Sequence, residues 1–98
     1  MAVLYVSEYG GLAVGGLPVG FEPSIRDYTL AIGAGGVSTV AFDNATTIIR
    51  VHTDAICSIA IVATTTSTAT TSNKRMGAGA TEYFGVRGGY HVSVITNS

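Results

Sequence analysis

His52, Asp54 and Cys57 fall close together in the chain, and they are the residue types a thiol nucleophile needs beside a base and an orienting carboxylate. Strand periodicity separates them. With a reversal at Thr53-Asp54-Ala55, His52 shares a face with Arg50 and Ser58, while Cys57 shares the other with Ile49 and Ile59. Base and thiol then leave the sheet on opposite sides. His91 could pair with His52 on a metal, but no third and fourth ligands stand at metal-site spacing, so both histidines read as solvent-facing strand residues. Nothing brings Glu22 and Glu82 together for acid–base work. Glu82 falls on the Phe84 face, at the sheet's rim or within reach of Arg75 or Arg87 between subunits. Gly33-Ala-Gly-Gly36 is followed by a strand and has no Lys-Ser/Thr after it, so it reads as a turn rather than a phosphate loop. These residues assign no catalytic, cofactor-binding or metal site, and the expectation is a protein that is not an enzyme and needs no cofactor.

Composition points the same way. Ninety-eight residues fit one domain with a modest core. Charged residues make up 11% of the chain and apolar ones 47%, so much of the surface must be uncharged Thr, Ser, Gly and Ala. Such a surface suits contact with other subunits. The net charge is −1 and the five cationic side chains are scattered, which leaves no electrostatic footprint for nucleic acid. Cys57 is the only cysteine, so there is no disulfide framework and a buried thiol is expected. No basic region precedes the first apolar residues and Glu8 interrupts them early, which argues against a signal peptide. The uncharged run 10–21 is shorter than the roughly 20 residues a membrane helix needs.

The elements that position these side chains are strands. Residues 81–95 alternate as a hairpin about Arg87-Gly88-Gly89, with Phe84, Val86, Tyr90, Val92 and Val94 on a core face and Tyr83, His91 and Ser93 pointing away. A second hairpin over 25–42 turns at Ala34-Gly35-Gly36, setting Leu30 against Val40 and Tyr28 against Phe42. A third, over 46–63, sets Ile49 against Ile59 and Val51 against Cys57, after a turn at Asp43-Asn44-Ala45. Residues 2–6 form a strand of undecided parity. Residues 64–73 carry only polar residues and Ala, and read as a polar edge strand or a long surface loop, with Lys74 and Arg75 guarding the edge. Gly10-Gly-Leu-Ala-Val-Gly-Gly-Leu-Pro-Val-Gly20 is too glycine-rich for a regular element and too apolar for a solvated linker. It either covers the domain's own core or extends as an arm onto a neighbouring subunit. No capped stretch has a helical period. The expected fold is all-β: a small antiparallel β-sandwich of seven or eight strands, jelly-roll-like, over residues 25–98, with an N-terminal strand and glycine-rich arm over 1–24.

Three pieces, Ile49-Arg-Val-His-Thr-Asp-Ala-Ile-Cys-Ser-Ile-Ala-Ile61, the Thr-rich tract, and Arg75-Met-Gly-Ala-Gly-Ala-Thr-Glu-Tyr-Phe-Gly-Val86 followed by Gly88-Gly-Tyr-His-Val-Ser-Val-Ile95, carry a resemblance. They resemble small virion accessory proteins of tailed bacteriophages and prophages, over about the last half of the chain. The resemblance implies a capsid decoration or cement protein, made in the bacterial host cytoplasm and located on the virion surface. It implies as partners the major capsid protein and further copies of the chain, in a trimer or other symmetric cluster; charge and segment length add the expectation of no nucleic acid and no membrane. The family transfers no binding residues. Interface anchors are enriched in aromatics and Arg, so the contacts expected here are Tyr5, Tyr9, Leu12, Leu17 and Phe21 of the N-terminal region, with Tyr83 and Arg87. The rival reading is a receptor- or carbohydrate-binding β-domain of a phage fibre or tail.

Overall fold

In the computed structural model, which describes residues 2–12, 20, 22–39, 41–63 and 68–97, the chain is all-β, with eight strands and no helix among those residues. β1 (Val3–Tyr9), β2 (Arg26–Ala31), β4 (Ile48–Thr53) and β7 (Thr81–Gly85) form an antiparallel sheet I in the order β2-β1-β4-β7. β3 (Val37–Ser38), β5 (Cys57–Val62), β6 (Lys74–Met76) and β8 (His91–Thr96) form sheet II in the order β3-β8-β5-β6. The period of two explains why the sheets meet. Leu4 and Val6 of β1 and Ile49 and Val51 of β4 join Phe42, Cys57, Ile59, Met76, Val92 and Val94 in one cluster, none more than 2% exposed. Burying each large apolar side chain there contributes roughly 1.5–3 kcal/mol.

None of the three expected hairpins is a ladder. In each, the first strand lies in sheet I and the second in sheet II, so the loops at Ala34-Gly35-Gly36, Thr53-Asp54-Ala55 and Arg87-Gly88-Gly89 are arches between sheets. Phe84 lies opposite Ile49, and Val92 lies opposite Ile61. An arch nevertheless keeps an inward set inward: Phe84, Val86, Tyr90, Val92 and Val94 all reach the core. Alternation specifies which face a side chain takes, and leaves open which strand lies beside it. Gly36 and Gly89 close two of the arches at φ 66° and 85°, where a Cβ is disfavoured.

The N-terminal strand extends beyond residues 2–6 to Tyr9 and lies between β2 and β4, so it is built into the sandwich rather than set apart from residues 25–98. Its inward row is Leu4, Val6 and Glu8; the apolar Val3 and Tyr5 on the other row are what left the parity of residues 2–6 open. Glu8 has no exposed surface and lies directly opposite Arg26, with its Oε2 2.8 Å from the guanidinium. Its Oε1 accepts hydrogen bonds from the Asp43 amide at 2.9 Å and the Thr46 hydroxyl at 2.7 Å. Arg26 also donates to the Ala41 carbonyl at 2.8 Å, so one ionic group ties β1 and β2 to the turn that leads into β4. Burial by itself would raise the pKa of Glu8. The nearby Tyr28 hydroxyl, together with hydrogen bonds from Asp43, Thr46 and Arg26, outweighs burial and holds it below the ordinary value of 4.5.

Two segments left ambiguous by the sequence have definite positions where they are described. Leu12 and Gly20 form an isolated bridge, and Gly20 is seated on the Tyr9 ring: a Cβ there would fall 2.4 Å from ring carbons. Most of the glycine-rich stretch, residues 13–19, lies outside the described residues, as do Val40 and residues 64–67 of the Thr-rich tract. Residues 68–73 of that tract form no strand and lie over the outer face of sheet II.

Candidate functional site

The two outer faces are both polar by alternation, and among the described residues only one is covered. On sheet II the Ser93 hydroxyl accepts from the Ala69 amide at 2.8 Å and donates to the Val37 carbonyl at 3.0 Å. Asn97 Nδ2 donates to the Ser58 hydroxyl at 2.6 Å and to the Thr71 carbonyl at 3.2 Å. His91 Nδ1 lies 2.9 Å from the Thr39 carbonyl. His91 and Ser93, expected to point toward solvent or a second sheet or subunit, are therefore buried by the chain's own loops. The Thr-rich sequence suits this covering role, because its backbone and hydroxyls can satisfy polar groups on a sheet face.

Among the described residues, sheet I has no such cover over its middle. Register places two rows of side chains across it: Thr29, Tyr5, His52 and Thr81 in one, and Asp27, Ser7, Arg50 and Tyr83 in the next. These rows border a shallow concavity of about 600 Å³ over β2, β1 and β4. Tyr5 is 46% exposed, and its ring centroid lies 6.1 Å from that of His52, with the planes tilted by 49°. His52 Nδ1 is 2.7 Å from the Thr81 hydroxyl, which fixes the imidazole. Asp27 accepts from the Ser24 hydroxyl at 2.8 Å. Hydrogen bonds from Ser7 and Ser24 hold the Asp27 carboxyl below its ordinary pKa against partial burial, and the charge of Arg50 adds to them. Arg50 forms no ion pair among the described residues.

Of the expected contact residues, Tyr5 and Tyr83 fall on this open face, in adjacent rows. Tyr9 is 4% exposed: its ring is covered by Gly20 and its hydroxyl donates to Glu22 at 2.9 Å, so within this chain it serves the fold. Leu12 is exposed, at the rim of a smaller hollow formed with Gly10, Gly11, Pro23 and Ile25. Arg87 is exposed on the arch between β7 and β8. Leu17 and Phe21 lie outside the described residues.

His52 and Cys57 sit as their parity requires. The histidine is on the outer face of sheet I, whereas the thiol is inside the core, where burial pushes its pKa up and its Sγ contacts the Thr53 hydroxyl at 3.6 Å. Among the described residues no three of His, Cys, Asp and Glu come together to hold a metal ion. The sequence reading did not select Asp27, Ser7 or Arg50 as site residues. Alternation put Asp27 and Arg50 on outward faces, but only the order β2-β1-β4 makes them neighbours across Ser7. No protein-family model, curated protein or solved structure matches the chain.

Proposed function

We propose that the chain is a structural virion protein of the decoration or cement type, folded as a jelly roll, which binds the outside of a phage capsid in symmetric clusters and stabilises it. The jelly-roll reading is supported by the connections. The links β2–β3, β3–β4, β4–β5, β6–β7 and β7–β8 all pass from one sheet to the other, as in that double-sheet architecture. The observation that carries the attachment is the hollow of about 360 Å³ at the root of the glycine-rich segment. There Leu12 and Ile25 remain 43% and 37% exposed beside Gly10, Gly11 and Pro23. Apolar side chains left in water where an apolar, glycine-rich stretch begins fit docking against another subunit, and the resemblance of the C-terminal half implies capsid protein as that subunit. Each contact can be weak, because many copies on a symmetric shell add their effects.

Electron microscopy and protein analysis of purified phage particles from cells that produce the chain test this reading. Regular density for the chain on the capsid exterior is expected, with occupancy lost when Leu12 and Ile25 are both changed to Ser. Particles that lack the chain, or that carry it only at the tail, overturn it. Removing residues 1–21 is a poor test, since it also deletes the strand between β2 and β4.

A further inference from the structure

The open face of sheet I has a composition that shell attachment at the Leu12 hollow does not use. Its concavity combines one exposed aromatic ring with a carboxylate, a guanidinium and an imidazole, all projecting from adjacent strands of a sheet rather than from loops. We infer that this face binds a neutral saccharide, with the Tyr5 ring as stacking platform and Asp27 and Arg50 as hydrogen-bonding groups for ring hydroxyls.

Four observations lead to that ligand class. Tyr5 stands on β1, between β2 and β4, with nearly half its surface in water and flanked by Thr29 and His52, so its ring is available to the apolar face of a sugar. Asp27 and Arg50 lie on either side of Ser7, two strand spacings apart, or about 10 Å. That span suits one or two sugar rings, with an acceptor array at one end and a donor array at the other. The opposed charges of Asp27 and Arg50 offset each other, which removes the net positive field an anionic ligand would need. His52 is held by Thr81 and Asp27 by Ser24, so two of the polar groups are positioned before any ligand arrives. Sugar binding here is independent of shell attachment, because the two hollows are lined by different residues.

The test is a microarray of neutral and acidic glycans probed with the labelled full-length protein, followed by NMR titration with the methyl glycosides of glucose, galactose, mannose and N-acetylglucosamine. The expected result is binding to one or more neutral glycans, with shifts concentrated at Tyr5, Asp27, Arg50 and His52. Tyr5→Ala and Asp27→Asn should each weaken binding at least tenfold while leaving the thermal midpoint within a few degrees of the parent, and Leu12→Ser should leave sugar affinity unchanged. Absence of binding to any glycan, binding only to sialylated or sulfated glycans, or affinity unchanged in both Tyr5→Ala and Asp27→Asn overturns the proposal.

Discussion

The outer faces of the two sheets start from similar sequence patterns and end in different states. Sheet II turns Ser58, Ser93 and His91 outward, and residues 68–71 together with Thr39 and Asn97 then close over them with hydrogen bonds. Sheet I turns Tyr5, Asp27, Arg50 and His52 outward and leaves them in contact with solvent. Polar residues at outward positions therefore have two uses, closing a fold or meeting a partner. What separates the uses is whether a segment of the same chain lies over the face and buries them.

Substitutions sharpen this contrast, beginning with the core both sheets share. Ile59→Ala removes a side chain 2% exposed between the sheets and should cost about 2–5 kcal/mol, read by chemical denaturation. Glu8→Ala should cost roughly 2–4 kcal/mol. That is less than for a fully buried pair, because Arg26 is partly solvated, yet it strands the Asp43 amide and the Thr46 hydroxyl. The same carboxylate sets an acid limit. Its folded pKa lies below 4.5, so its stabilisation is fully present above that pH and is lost as the pH falls through the lowered folded value. Acid titration of the parent should show that loss, and Glu8→Gln should flatten it. Gly88→Ala would put a Cβ 2.8 Å from the Asn44 Cα and should cost about 1–3 kcal/mol, measured by thermal unfolding.

Much of the fold was legible in the residues, and the manner of its failure is informative. The inward sets of 25–42, 46–63 and 81–95 follow from alternation, and they hold because an arch between sheets preserves parity as well as a hairpin does. Pairing was not legible, since loop length and glycine content are compatible with both connections. The parity of β1 was hidden because Leu4 and Val6 on one row and Val3 and Tyr5 on the other are all apolar, and the burial of Glu8 depends on partners distant in sequence, Arg26, Asp43 and Thr46. The candidate site was half visible. Tyr5 and Tyr83 stand out as aromatics at outward positions, but Asp27 and Arg50 become neighbours only through a strand order that no local signal encodes.

The division of labour between the two outer faces is tested most directly by comparing the thermal midpoints of Ser93→Ala and Tyr5→Ala. Ser93→Ala removes the partner of the buried Ala69 amide and should cost about 1–3 kcal/mol, a fall of several degrees or more in a chain of this size. Tyr5→Ala, on the open face, loses the cross-strand contact with His52 and should cost less, no more than about 1 kcal/mol. Equal losses in the two variants, or a larger loss in Tyr5→Ala, would contradict the account.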